Sequence, residues 1–366
     1  MGFNEFLGNE RIVRALQGMF RRERVPSALL FTGPRGVGKY TLARMFAQAG
    51  NCERLRDDFC GDCPSCLRIA PLANPVPLIE AGLAERGESA DAYAVERTPL
   101  IVETHPDVWL IVPDPVRLRN PVARPMIRVG QLRAVQRAAY FKPQGRRRVF
   151  ILDGADTMRW TDADVFLKIL EEPPESATLI LLAPSPDSLL QTIRSRCLQF
   201  HFEPVPVEQI EAFLKDRTNW KSPERKLAAQ LSAGSPGAAL SVDLEGSVRL
   251  RKSILDLLER VVTGESYAQV FVATAQLCKQ EQESFENVLG LFYSVFTDLL
   301  EFPFSPQSSL ARNPDLRREV EALGKKIDWE WVLRATRGLD VFEGRIRRNI
   351  GRQLGLDALI ASLSLR

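Results

Sequence analysis

The apolar run Ala28-Leu29-Leu30-Phe31 leads into Gly33-Pro34-Arg35-Gly36-Val37-Gly38-Lys39, and Leu42, Ala43, Phe46 and Ala47 then recur at helical spacing. A short continuous apolar run is the mark of a buried strand, and a glycine-rich turn that opens a helix directly after it is a phosphate-binding loop. The glycines let backbone N–H groups converge on an anion, and the helix N-terminus adds its partial positive charge. Strand, loop and helix in that order commit the first part of the chain to an α/β architecture. Gly33, Gly36, Gly38 and Lys39 fit the loop pattern, but its eighth position is Tyr40, where the pattern wants a Ser or Thr hydroxyl on magnesium. A tyrosine ring is too large to place an oxygen there. Thr41 follows and points about 100° away round the helix. The sequence therefore predicts an ATPase-type fold with its magnesium ligand missing.

Further strands and helices alternate. Val108–Val112, Val149-Phe150-Ile151-Leu152 ending at Asp153, Leu179–Ala183 and Leu198–Phe202 read as strands. Residues 5–22, Val129–Ala139 and Val165–Leu170 read as helices, the last stopping before Pro173-Pro174. This predicts a doubly wound parallel sheet with helices on both faces over residues 1–203. His105-Pro106-Asp107 reads as a turn before the Val108 strand. Residues 67–103 are rich in Pro, Ala and Glu without a strong period, and predict an irregular insertion. Pro204-Val205-Pro206 is a hinge. After it, 207–243 reads as a small helical domain and 244–366 as a second helical domain, with Ile254, Leu257, Leu258 and Val261 as its clearest apolar stripe.

Four of the six cysteines, Cys52, Cys60, Cys63 and Cys66, are spaced C-x7-C-x2-C-x2-C. Two residues between cysteines let both sulfurs face one tetrahedral ion, and four thiolates close a structural Zn2+ site; the alternative is a set of free or redox-active thiols. Gly61, Asp62, Pro64 and Ser65 supply the turns such a knuckle needs. Cys197 and Cys278 lie far off and read as buried apolar residues.

Net charge is +3 from 49 basic and 46 acidic side chains, too small to argue for nucleic acid by itself. That balance speaks against a stand-alone zinc-containing DNA-binding protein. The basic runs Arg21-Arg22, Arg146-Arg147-Arg148 and Arg345, Arg347, Arg348 read as solvated faces. No apolar stretch reaches the roughly 18 residues that span a bilayer. Met1-Gly2-Phe3-Asn4-Glu5 does not resemble a secretory signal, so a cytoplasmic protein is expected.

The order of motifs resembles the bacterial clamp loader, an AAA+ assembly that opens the sliding clamp and places it on primed DNA. The residues that carry the resemblance are the phosphate loop, the four cysteines, His105-Pro106-Asp107, the Asp153 strand end, Leu167-Lys168-Ile169-Leu170-Glu171-Glu172-Pro173-Pro174 and Ser195-Arg196-Cys197. Gly234-Ser235-Pro236-Gly237-Ala238-Ala239-Leu240 is similar to the lid segment of delta prime-type members. The resemblance implies an AAA+ nucleotide-binding-like domain over 1–203 with a zinc module at 52–66, a lid over 204–243 and an oligomerising collar over 244–366. It implies tau/gamma and delta subunits as partners, with clamp and DNA met through the complex, and membership of the DNA polymerase III holoenzyme, a nucleotidyltransferase. The implied nucleotide-binding set is Gly33, Gly36, Gly38, Lys39, Thr41 and Asp153.

Within that family, tau/gamma-type motors hydrolyse ATP and delta prime-type chains act as stators. Four positions here lack a motor's chemistry. Tyr40 replaces the magnesium ligand. Gly154 follows Asp153 where a motor has Glu, a base commonly worth about 10²–10⁴-fold in rate. Ala183-Pro184 stands at the polar sensor, and Pro236-Gly237 where a motor's lid carries arginine. The pattern predicts that ATP or ADP is either held without turnover or not held at all, the loop then only packing the sheet on its helix. Arg196 of Ser195-Arg196-Cys197 is implied to be an arginine finger acting in trans on a neighbour's ATP, because a guanidinium presents a planar fork of donors to phosphate oxygens.

Overall fold

The computed structural model describes residues 2–86, 92–115, 125–159, 163–278, 285–301, 312–346 and 351–363. They divide into two compact units, residues 1–213 with 234–238, and 214–233 with 239–366.

Among the described residues the first unit is built on six strands: β1 (Ala28–Thr32), β2 (Val102–His105), β3 (Val108–Ile111), β4 (Arg148–Asp153), β5 (Ala177–Ala183) and β6 (Leu198–His201). Their order across the sheet is β2-β3-β4-β5-β1-β6. All neighbours are parallel except β2 and β3, which pair antiparallel. The sheet is therefore mixed rather than purely parallel. His105-Pro106-Asp107 makes the hairpin turn between those two strands.

Side chains alternate across the pleat, so each central strand feeds two cores. Leu29, Phe31, Val149, Ile151, Ile180 and Leu182 face one side. There they meet α1 (Glu10–Arg21) through Ile12, Val13, Leu16 and Phe20, and α2 (Lys39–Asn51) through Leu42, Ala43 and Phe46. Leu30, Phe150, Leu152, Leu179 and Leu181 face the other side. They pack on α6 (Val129–Ala139) through Leu132 and Val135, and on α7 (Ala163–Glu171) through Phe166 and Ile169.

Residues 67–103 are more regular than their composition suggests. They complete α3 (Pro64–Ile69) and hold α4 (Val76–Arg86) and α5 (Ala92–Arg97) before β2, residues 87–91 lying outside the described set. The end of α4 is pinned by Arg86, whose guanidinium meets Asp114 at 2.6 Å with both side chains almost fully buried. In the run Arg146-Arg147-Arg148, Arg146 is exposed, but Arg147 is half-buried and Arg148 buried, so the run is only in part a solvated face. Arg146 Nη2 donates to the carbonyls of Ala49, Cys52 and Leu55, Arg147 Nη1 to Ala177 O and Thr178 Oγ1, and Arg148 to buried Asp107 at 3.0 Å. In the third basic run, Arg347 and Arg348 lie outside the described residues. The short α8 (Gln191–Arg194) precedes β6, and α9 (Val207–Lys215) follows it.

The second unit is helical among the described residues. It contains α10 (Ser222–Leu231), and α11 (Pro236–Ser241) runs into it. Then come α12 (Leu244–Thr263), α13 (Tyr267–Cys278), α14 (Phe285–Glu301), α15 (Arg317–Gly324), α16 (Trp329–Ile346) and α17 (Arg352–Ser362). The Ile254, Leu257, Leu258 and Val261 stripe of α12 shares one core with Phe292, Phe296, Trp331, Leu339 and Ile360. Beside that core, the fully buried guanidinium of Arg251 forks onto both oxygens of Asp315 at 2.7 and 2.9 Å. The planar guanidinium makes such a two-point grip possible. No helix among the described residues is long and apolar enough to cross a membrane.

Candidate functional site

The phosphate loop leaves β1 at Thr32 and enters α2 at Lys39, at the C-terminal edge of the sheet where open α/β folds place their ligands. Gly33 has φ +141°, and a Cβ on it would lie 2.6 Å from the Phe202 carbonyl oxygen. Its N–H donates to Pro184 O at 3.2 Å, so the Ala183-Pro184 end of β5 meets the loop through backbone. Gly36 has φ +72°, and a Cβ there would lie 2.2 Å from Ser235 Oγ. The Gly36 carbonyl accepts from Gly237 N–H at 3.1 Å. Only glycine allows this approach of 234–238 to the loop.

Lys39 Nζ donates to the Gly33 and Pro34 carbonyls at 2.6 and 2.7 Å. Its ammonium is held by the loop itself. Burial lowers its pKa, against the opposing pull of the Asp153 and Asp156 carboxylates. Asp153, at the end of β4, is shifted upward by burial in spite of Lys39 and Arg35. Gly154 follows it in the left-handed region at φ +79°, so no carboxylate stands at the next position. Thr41 is exposed.

The upward shift of Asp153 has a direct stability consequence. A carboxyl that folding makes harder to ionise costs stability above its folded pKa, and that cost vanishes as pH falls and the group is protonated. Asp153→Asn should therefore be more stable than the parent chain at pH 7.5, with the difference shrinking toward pH 4.5. Urea melts at the two pH values check this; a variant less stable at pH 7.5 would contradict it.

The Tyr40 side chain runs away from the loop. Its ring packs against the core under α1 and α2, and its hydroxyl donates to Leu72 O at 2.5 Å. Burial, then Asp153, push its phenol pKa upward, so it remains a donor. Sequence pattern exposed the mismatch at Tyr40 but held no signal for this destination, because Leu72 lies 32 residues on.

Arg196 lies between α8 and β6. Its guanidinium donates to Thr192 O at 2.9 Å and to Glu171 Oε1 at 2.7 Å. Its side chain is 34% exposed and that of Glu171 52%. Glu171 closes α7, where an acid opposes the helix dipole; the arginine accounts for it. Ser195 Oγ donates to Thr192 O at 3.1 Å, consistent with a turn-holding role. Burial pushes the Cys197 thiol up to about 12, so it stays protonated.

The sulfurs of Cys52, Cys60, Cys63 and Cys66 all lie within 4.8 Å of one another. Cys52 and Cys60 are 3.7 Å apart, close to the roughly 3.8 Å edge of a tetrahedron with 2.3 Å metal–sulfur bonds. None of the four is in a disulfide. Cys52, Cys63 and Cys66 are buried, and the N–H groups of Leu55 and Cys63 point at the sulfurs of Cys52 and Cys60 at 3.3 Å. These donors could hold a metal ion. Behind them, Ser65 donates to Glu53 and lies 3.3 Å from His105 Nε2. His105 is thus part of the packing round the cysteines.

A family model described as DNA polymerase III, delta subunit, matches residues 8–206, more than half of the chain. The chain belongs to that family. Its curated relatives include the DNA polymerase III subunit tau of Escherichia coli, 29% identical over 75% of this chain and 35% of that protein. The gamma/tau subunit of Mycobacterium bovis is 31% identical over 58% of this chain and 30% of its own length. The chain spans about a third of the length of these relatives. A gamma subunit-related protein of known structure from Thermotoga maritima aligns over 98% of both chains at 17% identity, with a TM-score of 0.40. The chain is thus a member of the clamp-loader family, related to the tau/gamma subunits.

Proposed function

We propose that this chain is the delta prime-type subunit of a bacterial clamp loader, a non-hydrolysing stator that helps load the sliding clamp onto primed DNA. Its partners in this reading are the tau/gamma and delta subunits, and it meets clamp and DNA through the complex in the cytoplasm. The domain scheme of 1–203, 204–243 as lid and 244–366 as collar goes with it. So does structural Zn2+ on the four cysteines.

Tyr40 carries the reading. A phosphate loop needs a hydroxyl at that position to hold magnesium on the nucleotide, and this hydroxyl is spent 2.5 Å from Leu72 O. Gly154 removes the base beside Asp153, and Gly36 and Lys39 are already bonded to Gly237 and to loop carbonyls. ATP or ADP at Gly33, Gly36, Gly38, Lys39 and Thr41 would have to draw the Lys39 ammonium off the Gly33 and Pro34 carbonyls. Arg196, near the surface on a turn, is the group this chain would lend to a neighbour's triphosphate.

A second reading is an ATP-hydrolysing motor subunit. The tau and gamma names of the relatives favour it. ATP turnover by the purified chain with magnesium separates the two. The stator reading expects none above a no-protein control; robust magnesium-dependent hydrolysis would replace it with the motor.

A further inference from the structure

We infer that Tyr40 and Gln48 clamp α2 to the cysteine module, so that metal held by the four cysteines fixes the phosphate loop at the other end of the same helix. The inference rests on the proposed metal site and adds to it a coupling between two places about 20 Å apart, the length of 13 residues at 1.5 Å each.

Three ties run along one side of α2. Tyr40, in its first turn, donates to the carbonyl of Leu72. Gln48, two turns on, donates through Nε2 to the carbonyl of Cys66 at 3.2 Å. Cys52 follows directly after the last residue of the helix. Positions 40, 44, 48 and 52 advance by about 40° per step, so they form a single stripe. Arg44 completes it: Nη1 donates to Gln48 Oε1 at 2.7 Å, which leaves the Gln48 amide nitrogen to face Cys66. The acceptors are as firmly placed as the donors. Cys66 sits in α3, and Leu72 in the single turn Ala70–Ala73 that continues it; both side chains are fully buried.

The module thus grips α2 at both ends. Two of the proposed ligands, Cys52 and Cys66, belong to this grip, so metal that orders them also orders the carbonyls to which Tyr40 and Gln48 are bound. Lys39 and the Gly38 carbonyl, which accepts the first helical bond from Leu42 N–H at 2.9 Å, stand at the far end. Coupling of this kind is reciprocal: the factor by which metal stabilises the first turn of α2 is the factor by which an ordered first turn strengthens metal binding.

The test uses the full chain, stripped by a chelator and reloaded with zinc chloride. Zinc per chain is counted, and amide exchange is followed by mass spectrometry in residues 42–46 and, as a control, in β4 and β5. Zinc removal should speed exchange at 42–46 by about ten-fold or more, and by more than in the two strands. Tyr40→Phe, which deletes one hydroxyl, should in its zinc-loaded form exchange there roughly two- to ten-fold faster than the parent, the range of one hydrogen bond. It should also bind zinc more weakly by a similar factor. If removing zinc unfolds the whole unit, the zinc-loaded Tyr40→Phe arm decides. One zinc per chain with the parent's exchange and affinity retained in Tyr40→Phe would overturn the coupling and leave the metal site standing. A chain that binds no zinc would overturn both.

Discussion

Arg196→Ala is expected to leave this chain folded and to slow ATP turnover by the reconstituted complex about 10³–10⁵-fold, the range measured for arginine fingers in GTPases. The two halves of that expectation have separate grounds. The ion pair to Glu171 is exposed on both sides at 34% and 52%, and pairs of this kind contribute about 0–1 kcal/mol. Losing it should hardly move a thermal melt. A finger, by contrast, acts on charge that develops on a transferring phosphoryl group, where a fixed cation in a dry site is worth far more than at a surface. Arg196→Lys should rescue little, because an ammonium lacks the planar fork. Turnover is measured on the complex assembled with tau/gamma and delta subunits, clamp and primed DNA. Unchanged turnover in an assembled complex would remove the finger, and with it the main chemical role proposed here.

The sheet was largely legible because its central strands are buried on both faces and read as continuous apolar runs. β2 was not. Val102-Glu103-Thr104-His105 is an edge strand with a bulge and only one aliphatic residue, and it follows a stretch dominated by Pro, Ala and Glu. The helix at 76–86 escaped for a related reason. None of its residues is fully buried, so its sequence carries no clean apolar stripe, and its end is fixed by Arg86 reaching Asp114 across 28 residues. A charge pair of that separation leaves no local signal. The same is true of Arg146 to Arg148, which read as surface by type and are held by carbonyls and a carboxylate distant in sequence.

At the candidate site, chemistry was more legible than geometry. Residue type alone exposed Tyr40 and Gly154, because a missing hydroxyl or carboxylate is visible without coordinates. The spacing of the four cysteines announced their cluster. Pairings remained hidden: Glu171 with Arg196, Gly36 with Gly237, Tyr40 with Leu72. Each joins positions from 25 to more than 200 residues apart, and none follows from helical or strand period. The acids at the end of α7 gave the one usable hint, since Glu171 stands where the helix dipole disfavours it.

Cys63→Ser should abolish stoichiometric zinc binding and cost the first unit about 4 kcal/mol or more, a size reserved for lost metals and similar defects. Structural zinc supplies roughly 10–16 kcal/mol in small finger peptides that have no other core. Here the loss is partial, because Leu16, Phe31, Phe46 and Ile180 still pack. It remains large because the cysteine module is not an appendage. Cys52, Phe59, Cys63, Cys66, Ile69 and Leu72 belong to the same buried cluster as those residues. The guanidinium of Arg146 also spans the carbonyls of Ala49, Cys52 and Leu55, joining the module to the chain two residues before β4. Three thiolates left without an ion would repel one another in a buried space, so their neighbours must open or the thiols take up protons. Either route loosens one side of the sheet. Zinc counted per chain, with urea melts of parent and variant, decides the matter: a Cys63→Ser chain that keeps one tightly held zinc and the parent's midpoint would dismiss Cys63 as a ligand.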